Sequence, residues 1–190
     1  TNPDALLRGI CAWDFYLLPG SLYAALPLYG NLTPGKAIAK GACVLLTDKQ
    51  EGEYPCIVVP DVMEAYCKLC GKIKSQFNTK TIAVTGSVGK TTTKDMIRAV
   101  CSQTYQVFCD VENNNMTTLV GYLVQRIPRG CDCYIQEVHE GDPESAESIS
   151  KIIQPNIAVI TNIGESHLGN FDSYEDLIKG VTDITEGMSK

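Results

Sequence analysis

Apolar and polar positions change their period along this chain, and those changes divide it. Within residues 1–79, short apolar runs at 22–26, 43–47 and 56–59 read as strands, while 34–40 and 62–77 carry helical spacing. From residue 80 onward the alternation becomes regular. Strands are expected at 81–85, near 106–109, at 133–138 and at 157–161; helices are expected at 91–103, near 117–126, at 144–153 and from Tyr174 onward. Near-continuous apolar strands separated by helices predict a mostly parallel sheet covered on both faces. Two helix starts carry chemical marks. Asp142-Pro143 offers a cap followed by proline at the first helical position, and Ser173-Tyr174-Glu175-Asp176 is a capping-box pattern. The polar stretch 75–80 is the best boundary, so a small α/β domain over 1–79 and a larger α/β domain over 80–190 are expected. Ligands of such sheets bind beyond the carboxyl ends of the strands, here Thr85, Val138 and Thr161.

Composition narrows the class. With 44% apolar residues the chain is globular, and no apolar run approaches the roughly 20 residues that span a bilayer. Residues 1–9 lack the basic-then-apolar order of a secretion signal, so a cytoplasmic location with no membrane partner is expected. Lys plus Arg number 16 against 22 Asp plus Glu, and no window concentrates cations, which argues against nucleic acid as a partner. Nine cysteines lie scattered in apolar segments such as Ala42-Cys43-Val44-Leu45, and their odd total predicts reduced, mostly buried thiols. Cys67, Cys70, Cys131 and Cys133 offer four sulfurs to a zinc ion on paper. However, the first pair lies in a helical pattern and the second has one intervening residue, against the usual ligand spacing.

The sharpest chemical signal is Ala83-Val84-Thr85-Gly86-Ser87-Val88-Gly89-Lys90-Thr91-Thr92-Thr93, a glycine-rich turn between an apolar strand and a helix. Gly86 and Gly89 free the backbone to curl, so that its N–H groups and the helix N-terminus face a phosphate. Lys90 is expected to reach the β- and γ-phosphates of ATP and the Thr91 hydroxyl to ligate Mg2+, with Ser87, Val88 and Thr92 completing the cradle. The usual loop has a further glycine where this chain has Val84, so an ordinary strand-turn-helix with a solvated lysine is the plain alternative.

Thr85 to Lys94 resembles the shortened phosphate loop of the Mur ligases, most closely the branch that joins D-alanyl-D-alanine to a UDP-N-acetylmuramoyl-tripeptide. The order of further segments is similar. Pro19-Gly20-Ser21-Leu22-Tyr23-Ala24-Ala25-Leu26 and Ala39-Lys40-Gly41-Ala42 resemble the family's first domain. Asn113-Asn114-Asn115 resembles its asparagine-rich loop, Gln136-Glu137 the strand end with a metal-binding glutamate, and Asn162 to Leu168 its Asn-x-Gly-x-x-His-Leu segment. The resemblance implies ATP-binding roles for residues 86–92 and Asn162, catalytic roles for Lys90, Glu137 and His167, and Mg2+ contacts for Thr91, Glu137 and His167. Taken alone, a strand-end glutamate is more often solvated and a lone loop histidine is more often a surface residue. His139 and Glu140 are adjacent on a strand, point to opposite faces, and read as rim residues.

This chain departs from the family at three places. Trp13-Asp14-Phe15 and Leu28-Tyr29-Gly30 stand where the first domain usually has Asp-Ser-Arg and Asp-Gly-His, and His139 replaces the glycine of Glu-x-Gly. The lysine that many members carbamylate aligns with Val181, and Lys179, about 200° away around a helix, faces elsewhere.

The function implied is an ATP-dependent amide ligase of peptidoglycan-precursor synthesis, working through an acyl-phosphate. Its expected partners are a UDP-muramoyl-peptide-like substrate and an amino acid or dipeptide, and a monomer is expected. Family members have three domains, so 1–79 is expected to be the substrate-side domain and 80–190 the first part of the P-loop ATPase domain. The acceptor-binding domain would then be missing and the 190 residues alone would not turn over; a natural truncation and an excised piece remain equally open. Three alternatives stay in view: a folylpolyglutamate- or cyanophycin-type ligase of the same family, a non-catalytic nucleotide-binding module, and an unrelated P-loop kinase or GTPase. The absence of an Asn/Thr-Lys-x-Asp guanine-reading motif argues against the GTPase.

Overall fold

The computed structural model describes residues 6–26, 32–110, 114–142 and 145–188. They fall in two compact units, Thr1–Cys70 and Gly71–Lys190. Leu28-Tyr29-Gly30, Asn113, and Pro143 with Glu144 lie outside the described residues.

In the first unit, β1 (Ile10–Cys11), β2 (Leu22–Ala24), β3 (Val44–Thr47) and β4 (Cys56–Val58) pair in parallel in sequence order. Helix α1 (Pro34–Ala39) connects β2 to β3, and α2 (Val62–Lys74) follows β4. Strand β1, only two residues long, is too short to show any period and was not expected. Tyr23, Ala37, Ala42 and Leu45 form a core cluster with Leu17, Ile38 and Cys56 packed on it. The turn at Gly41 closes this core: φ is +107°, and a Cβ would stand 2.9 Å from Pro19 Cα. Helix α2 is started by Asp61, whose carboxylate accepts from the Glu64 N–H at 2.8 Å, and the break between the units falls within this helix.

The second unit is a parallel sheet of order β6-β7-β5-β8. Its elements are β5 (Lys80–Thr85), α3 (Lys90–Cys101), β6 (Val107–Cys109), α4 (Thr117–Leu123), β7 (Cys133–Glu137), α5 (Ser145–Ile153), β8 (Ile157–Ile160) and α6 (Tyr174–Thr182). The sequence pattern anticipated each within a few residues. Helix α4 stops earlier than expected, because residues 124–126 tighten into a 3-10 turn before Pro128. Ala83, Val84 and Ile135 in the two central strands are fully buried, as strands covered on both faces must be. Val84 pairs with Glu137 and Thr85 with Ile160, so β5, β7 and β8 end at one level and release their loops along one edge.

Helices α5 and α6 pack together, and Ile149, Ile152 and Ile153 of the first and Leu177 and Val181 of the second are fully buried. All nine cysteines are free thiols. Burial pushes the Cys70 thiol up to about 12 and those of Cys11, Cys109 and Cys133 up to about 11, so these four are protonated near neutral pH and poorly suited to metal ligation. No helix among the described residues is long and apolar enough to cross a membrane.

Helix α6 starts as its sequence predicts, with Ser173 Oγ accepting from the Asp176 N–H at 3.1 Å. Ser173→Ala should therefore lower unfolding free energy by about 1 kcal/mol, read from the midpoint of urea denaturation.

Candidate functional site

Strand β5 ends at Thr85 and the chain turns immediately at Gly86, where φ is +126°. A Cβ there would stand 2.3 Å from Thr161 Oγ1 and 2.7 Å from the Asn162 carbonyl oxygen. The missing side chain is what lets loop 86–89 lie against the segment that follows β8. Polar contacts then pin the loop. The N–H groups of Ser87 and Val88 donate to the carbonyl oxygen and Oδ1 of Asn162, at 3.2 and 3.1 Å. Asn162 Nδ2 and Thr161 Oγ1 donate to the Val88 carbonyl at 3.0 and 2.7 Å, and the Gly164 N–H donates to Ser87 Oγ at 2.9 Å. Gly89, at φ +85°, begins α3 without a side-chain cap, so the first N–H groups of the helix stay available to an anion.

The first turn of α3 presents Lys90 and Thr91. Thr91 Oγ1 donates to Glu137 Oε2 at 2.7 Å, and the other oxygen of Glu137 accepts from Asn115 Nδ2 at 3.0 Å. Glu137 is only 3% exposed, held rather than solvated. Its neighbour Gln136 donates to the Asn114 carbonyl at 3.0 Å, which ties the loop after β6 to the end of β7. Lys90, Thr91, Thr92, Asn115, Glu137 and His167 all line one cavity of about 720 Å³.

His167 adopts a left-handed backbone, φ +64°, and its ring meets that of His139 edge-on at 5.6 Å between centroids. Gly141 makes this approach possible, since a Cβ there would stand 2.5 Å from His139 Nε2 and 3.1 Å from His167 Nδ1. His139 also lines the cavity.

The cavity thus brings together Gly89, Lys90, Thr91, Thr92, Glu137 and His167 from the expected set. Gly86, Ser87, Val88 and Asn162 shape the loop behind it, and the Asn162 amide is engaged at both ends by Val88. One residue of consequence escaped the sequence. Glu140, read there as a rim residue, is 1% exposed and its Oε1 pairs with Lys90 Nζ at 2.8 Å. The only signal for it was a carboxylate just past the strand end that also carries Glu137. Val181 is fully buried on α6 and Lys179 points outward to Asp183 at 2.9 Å, so neither lines the cavity.

This geometry joins a sequence comparison: the Mur ligase middle domain matches residues 84–190. The chain belongs to the Mur ligase family. Among relatives, the UDP-N-acetylmuramoyl-tripeptide--D-alanyl-D-alanine ligase of Buchnera aphidicola is 34% identical over 82% of this chain and 34% of its own length. The enzyme of the same name from Bacillus subtilis is 31% identical over 87% of this chain and 38% of its own length. The chain therefore spans little more than a third of these relatives. Its fold is similar to MurF from Acinetobacter baumannii, with TM-score 0.82 and 24% identity over 98% of this chain and 42% of that one. It is also similar to MurF ligase from Thermotoga maritima, solved in complex with ADP, with TM-score 0.80 and 21% identity over 98% and 44%.

Two substitutions test the packing around this site. Gly86→Ala should cost about 2 kcal/mol or more, from backbone strain and the collision with Thr161 and Asn162. Val181→Lys should cost about 3 kcal/mol or more by burying an amine between α5 and α6. Chemical denaturation of each variant beside the unsubstituted protein measures both, and unchanged stability in either would contradict the packing described.

Proposed function

We propose that this chain is the nucleotide-binding portion of an ATP-dependent amide ligase of peptidoglycan-precursor synthesis, one that joins D-alanyl-D-alanine to a UDP-muramoyl-tripeptide through an acyl-phosphate. The observation that carries this reading is the convergence of Lys90, Thr91 and Glu137 on one cavity at the mouth of a glycine loop. In this reading, residues 1–79 form the substrate-side domain and 80–190 the first part of the ATPase domain, in a monomeric cytoplasmic enzyme. Support for the substrate class comes from the names of the relatives, and support for the nucleotide from the loop geometry together with the ADP complex of the Thermotoga maritima protein.

The residues fit magnesium. Thr91 Oγ1 and Glu137 Oε2 are hard oxygen donors 2.7 Å apart, His167 lies on the same cavity, and Asn115 fixes the carboxylate. No three His, Cys, Asp or Glu side chains converge on a metal position among the described residues, so phosphate oxygens and water must complete the shell. A bound Mg2+ supplies neutralisation of charge on the phosphoryl oxygens. The loop amides and the start of α3 orient the phosphates, while Lys90 places a positive charge where negative charge gathers. A second reading, a nucleotide-binding relative without ligation, draws on the burial of Val181 where many family members carry a modified lysine.

Calorimetry of Mg-ATP binding tests the nucleotide assignment. Lys90→Gln, which keeps a donor toward Glu140 but removes the charge, should weaken binding by about ten- to a hundredfold. Equal affinity in the two proteins would remove Lys90 from the phosphate site.

A further inference from the structure

We infer that Glu140 is a built-in counter-ion of the phosphate-loop lysine, a positioning residue whose competition with incoming phosphate sets how tightly the site holds nucleoside di- and triphosphates. The inference rests on the reading of loop 86–91 as a phosphate site and adds to it a residue that acts through Lys90.

The geometry is specific. The Glu140 side chain is 0% exposed and that of Lys90 is 16% exposed. Lys90 Nζ donates to Glu140 Oε1 at 2.8 Å and to the Gly86 carbonyl at 2.7 Å. An ammonium has three donors, so two are committed before any ligand arrives. The second oxygen of Glu140 is buried with no hydrogen-bond partner among the described residues. A buried carboxylate is costly unless a cation compensates it, and Lys90 is the only cation paired with Glu140 among the described ion pairs.

Phosphate arriving at Lys90 therefore meets one of two penalties. If the ammonium keeps its bond to Glu140, two anions crowd one cation. If it swings to the phosphate, Glu140 is left buried with neither oxygen paired. In both cases the penalty falls on phosphates that reach Lys90 and spares contacts made by the nucleoside. Glu140 is absent from the cavity lining, so its effect passes through Lys90 rather than through direct contact with ligand.

The test is calorimetry of adenosine monophosphate, ADP and ATP on the full-length protein and on Glu140→Gln, Glu140→Met and Lys90→Gln/Glu140→Gln variants. Methionine serves beside glutamine because a buried amide would bring donors without partners, whereas a thioether demands none. Both single variants are expected to bind ADP and ATP about tenfold more tightly, with adenosine monophosphate unchanged. The gain should vanish when the double variant is compared with Lys90→Gln alone. Equal change for all three nucleotides, a gain that survives loss of the lysine, or unchanged or weaker ADP and ATP binding in both single variants would overturn the role of Glu140 while leaving the phosphate loop intact. Failure of the unsubstituted protein to bind ADP or ATP would overturn the nucleotide reading, and this inference with it.

Discussion

The site depends on one steric fact: at Gly86 there is no room for a side chain. The loop after β5 lies directly on Thr161 and Asn162, and a single carbon added at Gly86 would overlap both. That contact turns a flexible glycine turn into a fixed surface, because it brings the Val88 amide and carbonyl within reach of one asparagine side chain. The direction of α3, and with it the positions of Lys90 and Thr91, follows from the loop so held. Parallel pairing supplies the other half of the constraint. Strands that end at the same level present their following loops along one edge, and here those loops carry the partners of α3.

Burial gives the polar groups at this edge their strength and makes each depend on another. Glu137 is closed off from water, yet both its oxygens are occupied, by Thr91 and Asn115. Glu140 is equally closed off, but only one of its oxygens is satisfied. The two carboxylates thus differ in kind. The first is an anchored acceptor on the cavity lining, and the second is a charge stored beneath the lysine. In a low-dielectric setting that difference weighs more than their proximity in sequence, since an unpaired buried carboxylate carries a desolvation cost that an exposed one does not.

Much of this was legible in the sequence, for identifiable reasons. Period changes located the helices and all but one of the strands, and the Gly86 to Thr91 spacing located the loop, because both are local properties of the chain. Ser173 declared the start of α6 for the same reason. What escaped depended on contacts between distant segments. Glu140 meets Lys90 across 50 residues, and its neighbours in sequence say only that it follows a strand. The contact of the Asn162 amide with Val88, 74 residues back along the chain, likewise follows from no local rule. Strand β1 gains its identity only by pairing with β2, since Ile10 and Cys11 alone carry no period.

Helix α3 gathers these separate ties into one element. From its first turns, Lys90 holds Glu140 beyond β7, Thr91 holds Glu137 at the end of β7, and Lys94, almost wholly buried, donates to the Asp110 carbonyl after β6 at 3.0 Å. Three side chains of one helix therefore reach the ends of two neighbouring strands or the residues just beyond them, while Gly89 at its start is set by the loop pinned to the segment after β8. The charge on Lys90 is the member of this set most directly presented to a ligand, because Lys90 is part-exposed while Lys94 is 1% exposed.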